Sequence, residues 1–150
     1  MIYTNDEGVI EMKIDYTYVF DSHDLEDFIK IYHSNGWMGH NKEKIKTIFN
    51  ASTHIVVAKH NGSAIGLARA LSDGVFNAAI YDVIVDQSYQ NKGIGYDIVC
   101  RMINQLGQVS CVHLISTHGV EGLYQKLGFR KLKTGMAIYA NQKLKDEYTD

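Results

Sequence analysis

The stretch Gln90-Asn91-Lys92-Gly93-Ile94-Gly95 lies between an apolar run, Ile80 to Val85, and a helical stripe from Ile94 to Leu106. A glycine-rich passage from strand to helix exposes backbone N–H groups at a helix N-terminus, a place to hold phosphate. Glycine spacing narrows the choice of fold. A Walker A loop needs lysine and a hydroxyl residue directly after its second glycine, but Tyr96 and Asp97 follow Gly95. The Rossmann fingerprint needs a third glycine where Ile98 stands, and an opening βαβ unit that this chain lacks. What remains is Q-x-x-G-x-G, opening a helix after a long strand.

Outward from that turn the chain alternates elements. Ile94, Ile98, Met102 and Leu106, with Val99 and Ile103 beside them, repeat at 3.6 residues. Upstream, His54 to Lys59, Ala64 to Leu71 and Phe76 to Val85 read as three strands, joined at Asn61-Gly62, a strong hairpin signal, and at Ser72-Asp73-Gly74. Strict alternation puts Phe76, Ala78, Ile80, Asp82 and Ile84 on one face of the third strand. Asn77, Ala79, Tyr81, Val83 and Val85 fall on the other. Both faces are largely apolar, so this strand is expected to be central and covered on both sides.

Further upstream, Val9 to Ile14 alternates like a strand. Asp21-Ser22 reads as a helix cap ahead of Leu25, Phe28, Ile29 and Tyr32, a helix ended by Asn35-Gly36. Ile45, Ile48 and Phe49 mark a second short helix. Downstream, Val112 to Ser116 reads as a strand. Val120, Leu123, Tyr124 and Leu127 form a short helix stopped by Gly128. Met136 to Tyr139 is expected as a last strand and Lys143 to Asp150 as a polar tail. The order β-α-α-β-β-β-α-β-α-β predicts an α/β arrangement with a mixed sheet.

At 150 residues the chain is expected to form one domain, residues 1–150, with a core of its own. A net charge of −2 gives no bulk-charge reason for a nucleic-acid partner. No apolar run approaches the roughly 18 residues of a membrane span. No signal peptide is evident, which makes the cytoplasm the expected location. Cys100 and Cys111 have no metal spacing and read as reduced thiols. The seven histidines share no ligand spacing, so no metal site is expected.

A second motif follows in the same order and at a fitting distance: Leu123-Tyr124-Gln125-Lys126-Leu127-Gly128-Phe129. Together the two resemble the GNAT acetyltransferases. Their acetyl-CoA motif, (Gln/Arg)-x-x-Gly-x-(Gly/Ala), is matched by Gln90, Gly93 and Gly95, and their second signature is a tyrosine before a Leu-Gly-Phe turn. The resemblance covers roughly residues 50 to 140. A narrower likeness, over Ala68 to Val83, is to the branch holding the plant chloroplast-type serotonin and protein N-acetyltransferases and their bacterial relatives.

The resemblance implies the GNAT (acyl-CoA N-acyltransferase) fold, a mixed, mostly antiparallel sheet with flanking helices. It implies acetyl-CoA as cosubstrate and no metal. Val83, Ile84 and Val85 would lie along pantetheine, on a strand splayed from Val112 to Ser116. A main-chain N–H near Val83 would polarise the thioester carbonyl and stabilise the oxyanion. Gln90, Asn91, Lys92, Gly93, Ile94, Gly95 and Tyr96 would take the pyrophosphate. The helix dipole there contributes about 0.3–1 kcal/mol per exposed charge, and Lys92 is either a further positive charge or a solvated loop lysine. Homodimers are the family default.

The chemistry needs two proton transfers. An amine of pKa near 10 must lose a proton before attack, and a thiolate leaving group, of thiol pKa about 8.5, is helped by a donor. The family position gives Tyr124 the donor role, and a phenol is protonated at pH 7. The alternative is a core tyrosine on the Val120-Leu123-Leu127 stripe. Asp82, disfavoured mid-strand, is the candidate base, or else a structural carboxylate tied to a turn or to Arg69. A tight Ser72-Asp73-Gly74 turn would pair Arg69 near Ala78. Asp73 and a water relay are further candidates for the base. Trp37, Met38, Phe76 and Tyr81 either shape an amine pocket or pack the core.

The leading reading is an acetyl-CoA-dependent N-acetyltransferase in which a primary amine attacks directly in a ternary complex. A small-molecule amine is favoured over a protein lysine or N-terminus. The competing class is a non-catalytic acyl-CoA-binding regulatory module.

Overall fold

The computed structural model describes the backbone of residues 2–5 and 8–150 and the side chains of residues 12–150. By backbone contacts the chain divides into two compact units, Met1–Thr117 and His118–Asp150.

The larger unit opens with a two-stranded antiparallel pair, β1 (Ile2–Asn5) and β2 (Gly8–Glu11). The alternation expected over Val9 to Ile14 is thus divided, since β2 ends at Glu11 and the next strand, β3 (Asp15–Thr17), belongs to another sheet. Two helices follow, α1 (Leu25–Ser34) and α2 (Lys42–Ala51). Asp21 accepts from the His23 N–H at 2.9 Å and caps the 3-10 turn that leads into α1. Asn41 accepts from the Lys44 N–H at 3.0 Å and caps α2.

Next come β4 (His54–His60), β5 (Ser63–Ser72), β6 (Asn77–Val85), α3 (Ile94–Leu106) and β7 (Cys111–His113). The main sheet runs β3-β4-β5-β6-β7, antiparallel except for the parallel β6–β7 pair. Asn61 (φ +50°) and Gly62 (φ +81°) close the β4–β5 hairpin in the doubly left-handed geometry that Asn-Gly favours. Phe28, Ile31, Tyr32, Ile45 and Phe49 pack on Val57, Leu67 and Ile84, burying one face of the sheet under α1 and α2. Across the other face α3 presents buried Ile94, Ile98, Val99, Met102 and Leu106. There Gly66 admits the helix closely: a Cβ on it would stand 2.9 Å from the Ile98 Cδ1.

Two features of the β5–β6 hairpin differ from the sequence reading. The connection is not tight. Asp73 accepts from the N–H groups of Val75, Phe76 and Asn77 at 2.7–3.1 Å and holds a longer loop, so Arg69 pairs with Tyr81 and not with Ala78. The strand also breaks period two. Leu67 faces Ile84 while Arg69 faces Tyr81, so two steps on β5 span three on β6, a bulge that shifts the phase. Ile80 therefore shares a face with Val85 and Tyr81 with Ile84. This is why both faces look apolar when alternation is read straight through.

The smaller unit contains α4 (Glu121–Lys126) and α5 (Gln142–Tyr148). Met136 to Tyr139 forms no strand, and Met136 and Ile138 are fully exposed. The expected polar tail is instead mostly helical, because Asn141 caps α5 by accepting from the Leu144 N–H at 3.2 Å. β7 covers only the start of the strand expected over Val112 to Ser116.

Candidate active site

The glycine turn has the geometry its spacing requires. Asn91 (φ +62°) and Gly93 (φ +79°) are left-handed, and Gly93 is the N-cap of α3. The first bond into the helix is from the Asp97 N–H to the Gly93 carbonyl, 3.1 Å. The N–H groups of Ile94, Gly95 and Tyr96 precede it and have no intrahelical acceptor. A Cβ on Gly95 would meet only the Val85 Cγ2, at 3.9 Å. Packing within the protein does not demand that glycine, whereas a ligand lying on the turn would. These features fit a bound pyrophosphate. Lys92 Nζ stands 5.5 Å from the centre of the Tyr89 ring.

Gln90 braces the turn with its side chain. Its Nε2 donates to the Val85 carbonyl (2.9 Å) and to Asn35 Oδ1 (2.8 Å), while Asn35 Nδ2 donates to the same Val85 carbonyl (2.9 Å). The end of α1, the end of β6 and the turn are thereby tied at one carbonyl oxygen.

Asp82 sits in the bulge with φ +54°, one of three described non-glycine residues at positive φ. That conformation costs about 1–2 kcal/mol for an ordinary L-residue and less for aspartate. Two hydrogen bonds to a charged group, at about 1.5–3 kcal/mol each, exceed that strain. Both are present: Arg69 Nε donates to Asp82 Oδ2 at 2.7 Å and the Tyr32 hydroxyl donates to the same oxygen at 3.0 Å. Neither donor takes Oδ1. The Arg69 and Asp82 side chains are largely buried, and Tyr32 is fully so. Burial, reinforced by the Asp82 charge, pushes the Tyr32 phenol far above its usual range, so it remains a donor.

The bulge changes what the backbone offers. Among the described residues, neither Asp82 nor Val83 has a ladder partner on β5, and β7 pairs with β6 only at Asn77, Ala78 and Ala79. The far half of β6, through Val83, Ile84 and Val85, is therefore unpaired on its β7 side. The expected neighbour was a strand over Val112 to Ser116 splaying from it; here the gap arises because β7 already ends at His113.

Aromatic groups gather beside Asp82. His40 stacks on Tyr32 with centroids 4.1 Å apart and planes 7° from parallel, and Trp37 is 5.8 Å from His40. The His40 Nδ1 is buried without a hydrogen-bond partner. Burial lowers its pKa, against an upward pull from Asp82. Arg69 also lies over the Tyr81 ring, 5.0 Å from its centre. Met38, Phe76 and Tyr81 are exposed, while Trp37 packs against the core. Asp73, the second carboxylate candidate, is held below the usual carboxylate range by the N–H groups of Val75, Asn77 and Phe76. It serves the hairpin loop.

Tyr124 lies in the smaller unit, largely buried on α4. The Leu-Gly-Phe turn that follows is a helix cap. Gly128 is left-handed (φ +93°), its N–H bonds the Gln125 carbonyl (3.1 Å), and the Phe129 N–H reaches the Tyr124 carbonyl (3.0 Å). This is the Schellman pattern, completed by an edge-on contact of the Phe129 and Tyr124 rings, centroids 5.8 Å apart. Burial raises the Tyr124 pKa.

Sequence reading did not single out Tyr32, His40 or Asn35 as site residues. One signal was present. Tyr32-His33-Ser34-Asn35-Gly36-Trp37 repeats the pattern of Tyr124 to Phe129, tyrosine, three residues, glycine and an aromatic. It forms the same cap: the Gly36 N–H bonds the His33 carbonyl (3.0 Å), the Trp37 N–H bonds the Tyr32 carbonyl (3.0 Å), and the two rings are 6.0 Å apart. Among the described residues no three of His, Cys, Asp and Glu come together as a metal-ligand group, and no helix is long and apolar enough to cross a membrane.

Known proteins share this architecture. The profile of the acetyltransferase (GNAT) family matches residues 14–129. The uncharacterized N-acetyltransferase ycf52 of Porphyra purpurea is 32% identical over 133 residues, 85% of this chain and 76% of that protein. Serotonin N-acetyltransferase 2, chloroplastic, of Oryza sativa subsp. japonica is 38% identical over 86 residues, 54% of this chain but only 43% of the rice protein. A GNAT-family acetyltransferase of Streptococcus pneumoniae has the same fold, with a TM-score of 0.72 and 26% identity over 88% of this chain and 99% of that one. Because the family match runs from the threshold of β3 to the aromatic cap behind Tyr124, the chain belongs to the GNAT acetyltransferase family.

Proposed function

We propose that this protein transfers the acetyl group of acetyl-CoA to a primary amine by direct attack in a ternary complex. The observation that carries this reading is the left-handed bulge at Asp82. It leaves the Val83 N–H outside the ladder on the stretch where β6 has no β7 partner. An N–H fixed in that way can meet the charge that develops on a thioester carbonyl oxygen, and rigid placement is what makes such a donor effective. Val83, Ile84 and Val85 hold the pantetheine arm by strand-like hydrogen bonds. The N–H groups from Asn91 to Tyr96, with Lys92, hold the pyrophosphate, and the side chain of Gln90 keeps the turn in shape. Acetyl-CoA supplies the activated acyl group.

Asp82, anchored through Oδ2, orients the amine through Oδ1 and takes its proton directly or through water. Tyr124 donates a proton to the departing thiolate. All 150 residues act as one catalytic domain. The exposed Met38 and Tyr81 favour a small amine bearing an aromatic or apolar group. Arg69 is already paired with Asp82 and is not available to an anionic acceptor. The proposed setting is the cytoplasm, with a homodimer as the working assembly; sedimentation of the purified protein checks the latter. Chloroplastic relatives make the plastid a second compartment to examine.

The test is release of CoA thiol with a panel of aryl-alkyl amines, polyamines, lysine peptides and N-terminal peptides. We expect turnover with at least one small amine. Turnover on peptides alone would replace the acceptor class with a protein amine. Tight acetyl-CoA binding with no turnover on any amine would mark a regulatory binding module.

A further inference from the structure

Asp82 is held more firmly than a core carboxylate requires. Neutralising Arg69 needs no phenol, and filling the space under α1 needs no hydroxyl, since Phe28 and Phe49 fill the same core without one. Yet the Tyr32 hydroxyl and Arg69 Nε converge on a single oxygen of Asp82 in the bulge, from α1 on one side and β5 on the other. Tyr32 is itself fixed twice. The Gly36 cap anchors its carbonyl through the Trp37 N–H, and His40 stacks on its ring. Backbone strain that is over-determined by its surroundings points to a use for the strained geometry.

We propose that Tyr32 and Arg69 are positioning residues for acetyl transfer. Through Asp82 Oδ2 they fix the bulge at residues 82 and 83, and so set the direction of the Val83 N–H and of the open Oδ1. Neither touches the reacting atoms. The inference rests on the role given above to the Val83 N–H. The charged and titratable groups that bear on this cluster are Asp82, Arg69, Tyr32 and His40, with Lys44 and His33 acting on His40.

Tyr32→Phe removes one oxygen and keeps the ring that His40 stacks on. We expect kcat to fall about tenfold to a hundredfold, the loss typical of a misaimed donor. The KM for acetyl-CoA should stay within about twofold, because the pyrophosphate turn is untouched. The Val83 amide resonance should shift in the folded protein. Arg69→Gln should lower kcat in the same way, with the KM for acetyl-CoA again held and the Val83 amide resonance moved, and Arg69→Lys should restore part of both effects.

A Tyr32→Phe protein that keeps wild-type kcat and an unmoved Val83 amide, with only its melting temperature lowered, would reduce Tyr32 to a structural role and overturn the proposal. If that variant fails to fold, Arg69→Gln reads the same lock from β5, and wild-type kcat with an unmoved Val83 amide overturns it. Absence of turnover in the wild-type protein would sink the acetyl-transfer reading alone. The lock would then stand or fall on whether the Val83 amide shifts.

Discussion

Two side chains show what burial does to a titrating group here. Tyr124 has its pKa raised by burial, so its phenol keeps its proton across the neutral range and into alkaline solution. Tyr124→Phe is expected to lower kcat by about 10²–10⁴-fold, the usual worth of a general acid. Acetyl-CoA binding by calorimetry should be unchanged. His40 is the opposite case, because burial lowers its pKa below the ordinary value of 6.5. The native protein keeps the ring neutral while the unfolded chain takes up a proton first. Stability present above pH 6.5 is therefore lost as pH falls toward the folded-state pKa. His40→Phe retains a ring on Tyr32 and should lose less stability than wild type between pH 7 and pH 5, measured by urea unfolding at each pH. Sequence placed the glycines, Tyr124 and Asp82 by motif and by the oddity of a mid-strand carboxylate. It named Arg69 as one possible partner of Asp82, the pairing the structure shows, but could not choose it over a turn, because that contact depends on a loop length and a bulge together.

Both aromatic caps belong to the scale of the element. In each, a helix ends on a left-handed glycine, and the next residue packs an aromatic ring on a tyrosine five positions back. A short helix such as α4 nucleates poorly by itself, so its cap contributes much of its order. Gly128→Ala puts a Cβ at φ +93° and should cost about 1 kcal/mol or somewhat more. Activity should fall further than a thermal melt of the whole protein indicates, since Tyr124 is held by that cap. The helices α1, α2 and α3 were legible from their apolar stripes, and α1 also from the Asp21-Ser22 start and the Asn35-Gly36 stop. The segment from Met136 to Tyr139 was not, since alternation without a neighbouring strand to bond does not make a strand.

For the whole molecule, layered order came through from sequence while phase did not. Three strands with helices on both faces follow from apolar periodicity, but β6, expected to be central, is fourth of the five strands and lacks a β7 partner over its far half. The bulge leaves no such mark, because Ile80, Tyr81, Ile84 and Val85 are apolar on either phase, and aspartate alone does not announce a left-handed backbone. The relation between Arg69 and Tyr81 follows from the longer loop that Asp73 closes with three N–H bonds. A reading that assumed the shortest turn was bound to miss it.

The phase shift also sets how this protein would answer to a change of length. Remove Asp82 by codon deletion, and Tyr81 and Ile84 become two positions apart, which is the spacing that their shared face already demands. No buried side chain would have to change sides. Single-residue deletions inside a central strand ordinarily reverse the facing of everything beyond them; this one would regularise the ladder. Arg69 and the Tyr32 hydroxyl lose their acceptor, so we expect the shortened protein to fold with a cooperative melt at lower temperature and to bind acetyl-CoA at the glycine turn. It should transfer no acetyl group. A collapsed or insoluble product would show that β6 cannot be realigned in this way.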